Sequence, residues 1–176
     1  LGNFMTFGDL PAKGINDPSG YFFPRGAILN RDLTKVHEVD LNADDQVQEY
    51  VAHSWYDYAG GKTKGLHPYQ GETKLNYSGP KPPFQQLPVE QAYSWLKSPR
   101  WKGQAMEVGP LARVLMLYAT GHAQTKELVG ATLKQLDLPV QALFSTLGRT
   151  AARTLETKIL ADAMQGWLDQ LTANIK

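Results

Sequence analysis

Residues able to do chemistry occur throughout these 176 positions, yet few stand at a spacing that would make them act together. The four histidines, His37, His53, His67 and His122, lie at least 14 residues apart. None has a partner four positions on, the spacing that presents two imidazoles on one helical face to a metal. They read as packing or surface residues, and no metal ligand is assigned. His67 alone is singled out, because the following Pro68 restricts its backbone and Tyr56, Tyr58 and Tyr69 surround it in the sequence. The carboxylates Asp44, Asp45, Glu72, Glu90 and Glu107 fall in different segments, and no G-x-S-x-G elbow is present, so they read as solvated charges and caps. No catalytic residue is assigned.

Gly60-Gly61-Lys62-Thr63 looks like the tail of a phosphate-binding loop. The full pattern needs glycine where Tyr56 stands, and Gly65 and Pro68 prevent a helix from opening cleanly at Lys62. Backbone amides would then not converge on a phosphate. Trp55, Trp95, Trp101 and the neighbouring tyrosines could form a platform for a sugar or a base. With a net charge of only +1 they read more simply as core and interface anchors.

Composition narrows the classes further. With 18 Lys and Arg against 17 Asp and Glu, nothing electrostatic favours a nucleic acid or a bare anionic membrane as partner. Zero cysteines exclude a disulfide scaffold, a thiolate nucleophile and any Cys-ligated zinc or iron–sulfur cluster supplied by these residues. No apolar run approaches the length of a membrane span, and the start, Leu1-Gly2-Asn3-Phe4, lacks an initiator Met and a basic stretch. We expect no span and no secretory signal here, and a start at Leu suggests an excised segment.

The elements that must position these side chains divide by punctuation. Residues 1–110 hold 12 of the 16 Gly and 10 of the 11 Pro, and 15 of the 18 aromatics lie at or before Trp101. The expectation is an α+β chain: a small antiparallel β region at the N-terminal side, then a helical bundle with one long C-terminal helix. Two parts follow, 1–102, β-rich and irregular, and 103–176, helical, together one incomplete piece of a larger subunit. Expected strands are Asn3–Phe7, Tyr21–Phe23 continuing into Ala27–Asn30, and Val36–Val39. Asn42 is expected to cap a short helix over Ala43–Ala52, with Asp45 favourable in its first turn. Tyr56 to Pro99 reads as an extended aromatic excursion with one short helix near Glu90–Lys97. Such length without regular structure implies function or a covering surface. Beyond Gly109, helices are expected from Pro110 to Gly121 and over Thr125–Leu136, the latter with Leu128, Val129, Leu133 and Leu136 inward. A third runs from near Pro139 almost to the end, with Phe144, Leu147, Ala151, Leu155, Ile159, Leu160, Met164, Trp167 and Leu171 on one stripe. That stripe is longer than a globule of this size needs, and is expected to pack on something outside these residues.

Three blocks are more specific. His53-Ser54-Trp55-Tyr56, Tyr93-Ser94-Trp95-Leu96-Lys97-Ser98-Pro99-Arg100-Trp101 and Met106-Glu107-Val108-Gly109-Pro110-Leu111-Ala112-Arg113 occur in order, and Ser145-Thr146-Leu147-Gly148-Arg149 enters the last helix. Together the chain, from about Gly2 to its end, resembles the large subunit of nickel–iron (NiFe) hydrogenases of the uptake, periplasm-facing group. The resemblance implies an oxidoreductase that reversibly splits H2 at a Ni–Fe centre carrying CO and cyanide. It implies a heterodimer with an iron–sulfur small subunit, periplasmic and membrane-associated through partner subunits. The metals of that family are held by two Cys-x-x-Cys pairs, one near each end of the large subunit, and soft thiolates suit them. Neither pair is here, so the chain reads as a central scaffold that binds no cofactor alone and is inactive alone. His67-Pro68 resembles the family's His-Pro element close to the nearest iron–sulfur cluster of the small subunit, where an imidazole would tune the cluster potential.

Two other readings compete. An autonomous protein-interaction module could use the aromatic excursion to hold a partner, and a metal-free relative of the hydrogenase fold could keep the scaffold alone. Cys-x-x-Cys elements in the reading frame on both sides would argue against the first. Nickel and iron in the full-length product would argue against the second.

Overall fold

The computed structural model describes residues 2–11, 20–81, 86–87 and 89–175. They form two compact units, one over residues 40–107 and the other combining residues 2–39 with 108–176. The compositional boundary at 102/103 is thus a different partition from the spatial one, because the N-terminal strands share a unit with the helices.

The helical unit opens with two short antiparallel pairs. Strand β1 (Phe4–Thr6) pairs with β4 (Gly26–Ile28) in the register Phe4 to Ile28, and β2 (Asp9–Pro11) pairs with β3 (Tyr21–Phe23). The strand expected at Val36–Val39 reduces to one bridge, in which Ala27 and His37 exchange backbone bonds of 2.9 and 2.8 Å. Helix α1 (Pro110–Ala119) takes Pro at its first turn, where no N–H is needed, and buries Leu111, Ala112, Val114, Leu115, Met116 and Leu117. Burial on so much of its circumference makes it the central helix of its unit. Phe4 and Ile28 from the strands, Val129 from α2 (Ala123–Gln135), and Leu143, Phe144, Ala152 and Leu155 complete that core.

The long C-terminal helix departs from expectation at its start. A 3-10 turn over Val140–Phe144 precedes it, and α3 begins only at Thr146, running to Ile175. Ser145 causes the break: its backbone is extended and its hydroxyl accepts the Gly148 N–H at 3.0 Å, capping the new helix. A Cβ on Gly148 would lie 2.3 Å from the Leu143 carbonyl oxygen, so only glycine lets α3 fold back so tightly on the turn before it. The 30-residue helix is about 45 Å long. Its buried positions, Gly148, Ala152, Leu155, Glu156 and Ile159, all lie in the first half. Farther along, Met164, Leu168, Leu171 and Ile175 are more than half exposed, as is Leu136, which was expected inward on α2. Leu147, assigned to the stripe, is 81% exposed.

In the unit of residues 40–107, β5 (Val47–Tyr50), β8 (Ser98–Trp101) and β9 (Gln104–Ala105) make a three-stranded antiparallel sheet, and β6 (Tyr56–Tyr58) pairs with β7 (Thr73–Leu75). Two expected helices are absent. Over Ala43–Ala52 the chain turns and then becomes β5, because pairing Val47 with Trp101 and Tyr50 with Ser98 offers a ladder that a lone exposed helix lacks. Asp40, not Asn42, supplies the local cap, accepting the Asn42 N–H at 2.9 Å. Over Glu90–Lys97 the backbone pairs instead with the block before β6: Tyr93 N–H donates to the His53 carbonyl and Trp55 N–H to that of Ser94. Val47, Val51, Trp55, Tyr58, Trp101 and Met106 are its buried hydrophobic centre.

Candidate functional site

The aromatic excursion is extended, as its glycines and prolines require, yet it is well fastened. Side chains take over the work a regular ladder would do, bonding to backbone groups that would otherwise be left open. The Tyr58 hydroxyl accepts the Leu66 N–H at 3.2 Å and faces the carbonyls of Glu49 and Leu66 at 3.2 and 3.3 Å. Burial pushes the Tyr58 phenol upward from its usual pKa, and the nearby Glu49 adds to that, while the hydrogen bond with Leu66 and the charge of Lys97 oppose it. Ser54 donates to the Leu96 carbonyl, Tyr56 to that of Trp95 at 3.0 Å, and His53 Nδ1 sits 3.1 Å from that of Gln91.

His67 is the most deeply held of the residues chosen from the sequence, at 2% exposure. Its Nε2 lies 2.8 Å from the Leu41 carbonyl oxygen, which can only accept, while Nδ1 receives the Tyr69 N–H at 3.2 Å. That pair of partners fits one neutral tautomer, protonated at Nε2. The His67 carbonyl accepts from Gln70 and Gly71, and the Gln70 side chain donates to Asp44 at 2.7 Å. His67 therefore pins a turn whose tip, Tyr69, is 88% exposed.

The other histidines do separate structural jobs. His37 forms the single bridge to Ala27, and His53 stacks on Tyr93 with ring centroids 5.4 Å apart. His122 caps α2, its Nδ1 accepting from Thr125 N–H. Of the carboxylates, Glu72 meets Lys74 at 3.7 Å on the exposed surface, and Asp45 and Glu90 are exposed. Among the described residues no group of three or more His, Asp or Glu comes together to hold a metal.

Trp55, Tyr56, Tyr77 and Trp95 converge. Trp95 lies 5.1 Å from Trp55 and 5.8 Å from Tyr77, stacked on the latter, and Trp55 is 4.9 Å from Tyr77. Trp55 is buried while Tyr77 and Trp95 are about half exposed, so the cluster is an anchor below and a surface above. Trp101 is not part of it, being a core residue at 3% exposure. A cleft of about 280 Å³ beside the cluster is lined by Ser54, Tyr56, Asp57, Lys62 and Asn76 among others.

Two side-chain fastenings carry no pattern in the sequence. Arg113 on α1 makes a bidentate pair with Glu156 on α3, including a 3.0 Å bond from Nη2 to Oε2, and its guanidinium lies over the Phe23 ring. The Glu156 bond holds the Arg113 pKa above its ordinary value, against the burial that lowers it. Lys62 meets three backbone carbonyls rather than a phosphate, at 2.7 Å to Ser54, 3.1 Å to Tyr56 and 3.4 Å to Val51. The only sequence signal for the first was the block ending at Arg113, and for the second the Gly-Gly turn.

The fold and these blocks together mark a protein of the hydrogenase large-subunit class, and the comparisons agree. The family model for nickel-dependent hydrogenases matches residues 1–176, and the chain belongs to that family. It is 48% identical over 180 residues to the uptake hydrogenase large subunit of Bradyrhizobium diazoefficiens, covering 98% of this chain and 30% of that protein. It is 43% identical over 179 residues to the hydrogenase-1 large chain of Escherichia coli K12, again covering 98% of this chain and 30% of that one. Among solved structures it resembles the Ni-Fe-Se hydrogenase of Desulfomicrobium baculatum in a reduced, active form, with a TM-score of 0.55 and 29% identity over 96% of this chain and 31% of that one. The chain thus spans about 30% of the length of the curated relatives it matches.

Thiolate and imidazole groups are the donors suited to late transition metals such as nickel and iron. With no cysteine in 176 residues and no carboxylate–imidazole group among the described ones, these residues do not fit the metal centre. No catalytic step is assigned to them. Among the described residues no helix is long and apolar enough to cross a membrane.

Proposed function

We propose that this chain is a central part of the large subunit of a NiFe hydrogenase, an oxidoreductase that in its intact form interconverts H2 with protons and electrons. The observation that carries the reading is the family match across all 176 residues, joined to near-complete alignment with about 30% of the uptake large subunit. In this reading the chain supplies scaffold and partner surface. The Ni–Fe centre, with its CO and cyanide, is held by thiolates outside these residues. Helix α3, with an exposed stripe of apolar side chains along its outer half, packs against other parts of the large subunit, and the Trp95 and Tyr77 surface supports a contact with a partner. That partner is an iron–sulfur small subunit, and the assembly is periplasmic and membrane-associated through its other subunits.

His67 fits a tuning role toward the nearest small-subunit cluster in a restricted way. With Nε2–H given to Leu41 and Nδ1 taken by Tyr69, the ring acts through its dipole and through the turn it holds, rather than through a formal charge.

The decisive experiment coexpresses the full-length gene with its small-subunit neighbour in a host able to mature such enzymes. The complex should contain nickel and iron and reduce a viologen dye with H2, and the 176-residue chain alone should do neither. A full-length product free of both metals would support the metal-free relative instead.

A further inference from the structure

We infer that the carbonyls of Val51, Ser54 and Tyr56 form a latent site for a monovalent cation, which the chain fills with its own Lys62 ammonium. An ammonium has three N–H donors and no acceptor, and here three carbonyl oxygens stand at 2.7, 3.1 and 3.4 Å from Nζ, one for each donor. The approach is built by the Gly60-Gly61 turn. Gly61, at φ +68°, occupies the left-handed region and donates to the Tyr58 carbonyl at 2.8 Å, which turns the chain back so that Lys62 returns over the edge it has just left. A Cβ on Gly60 would lie 2.5 Å from the Lys64 carbonyl oxygen, so the return is tight.

The ring of oxygens matters because of what it carries. Ser54 and Tyr56 flank Trp55, whose own carbonyl accepts the Asn76 N–H at 2.9 Å and whose ring is the buried base of the aromatic cluster. Carbonyl dipoles crowded on one point repel each other, and a cation among them removes that cost. Lys62 is therefore a positioning residue for the aromatic face. An ion of ammonium or potassium size should replace it, since such ions exchange hydration water for rings of backbone carbonyls. The inference does not depend on the hydrogenase reading, because it concerns only contacts within the unit of residues 40–107.

Hydrogen exchange read by mass spectrometry on peptides spanning residues 50–62 of the full-length protein tests it. Lys62→Met keeps the aliphatic stem and removes the charge, and should raise exchange at Trp55 and its neighbours about tenfold. Potassium or ammonium chloride should restore protection, whereas choline chloride at equal ionic strength should not. Unchanged exchange in the variant, failure of both small cations, or equal rescue by choline overturns the proposal. Acetylation of the already folded wild-type protein removes the charge without asking a variant to fold. Molecules acetylated at Lys62 should show the same potassium-restorable loss, and protection that survives acetylation overturns the proposal as well.

Discussion

The helical unit and the unit of residues 40–107 solve the same problem with opposite means. In the first, α1 is nearly surrounded by apolar side chains, and its interior backbone polar groups are satisfied inside the helix, its last carbonyls by the turn that follows. In the second, strands of two to four residues leave many backbone groups unpaired by any ladder, and Tyr58, Lys62, His67, Ser54 and Tyr56 bond to them one at a time. Stability in the first is a sum over many interchangeable contacts. In the second it rests on individual polar atoms, each with one geometry. Apolar truncation should therefore injure the helical unit most, and removal of single heteroatoms should injure the other.

The largest expected effect is at Leu115, which is fully buried in the α1 core. Leu115→Ala removes that packing and leaves a cavity, and should cost about 2–5 kcal/mol. Urea unfolding of the full-length protein, followed by helix ellipticity, measures the loss. Leu171→Ala, at a position 56% exposed, supplies the contrast and should cost above about 1 kcal/mol in the full-length protein only because the proposed packing covers it there. A cost within about 0.5 kcal/mol would show that this face meets only water and would remove the proposed packing of the outer half of α3.

That contrast also explains which features the sequence disclosed. Helices α1 and α2 were legible to within a few residues, because Leu111, Val114, Leu115 and Val129 recur at helical spacing and Pro110 and Gly121 mark the ends of the first. The Ser145 break was not, since the apolar period runs unbroken through Phe144 and Leu147 and the interruption lies in one hydroxyl and one close approach at Gly148. The two false helices failed for a reason local propensity cannot contain: residues 47–50 and 93–95 find partners 48 to 54 and 39 to 40 positions away, respectively, in sequence. The family was readable from contiguous blocks. The fastening of His67 and Lys62 was not, because their partners are backbone groups, carbonyls for Lys62 and a carbonyl and an N–H for His67, and such groups carry no residue-type signature.

An intermediate effect is expected at His67. His67→Ala deletes two partly buried bonds, to Leu41 and from Tyr69, and leaves both backbone groups without that partner. Local opening of residues 66–71 should become easier by about 1–3 kcal/mol, read as faster amide exchange. If the proposed role of His67 beside a small-subunit cluster holds, the same change in the intact enzyme should shift the potential of that iron–sulfur cluster or slow electron transfer to it. His67→Gln, whose amide can both donate and accept, should recover part of the exchange protection. If protection returns and the potential does not, the ring itself tunes the cluster; if both return, the held turn is what matters.

The smallest effect is the pH dependence of the wild-type protein at Tyr58, which begins only in alkali. Tyr58 is 9% exposed, and burial makes its phenolate costly, so the folded protein keeps that proton to a higher pH than the unfolded chain does. A pKa raised on folding contributes stability that is complete below the unfolded value, about 10, and is lost as pH climbs through the folded one. Between those limits the unfolded state releases a proton that the folded state retains, so rising pH favours opening of residues 56–75. Phenolate absorbance and amide exchange followed together should show Tyr58 ionising only as Leu66 loses protection. Tyr58→Phe should weaken this unit by roughly 1–3 kcal/mol at neutral pH, since it strips partners from Leu66 and Glu49, yet it should flatten the alkaline decline. A decline of equal steepness in the variant would assign the alkaline sensitivity to another tyrosine and remove Tyr58 from its place as the buried fastening of the excursion.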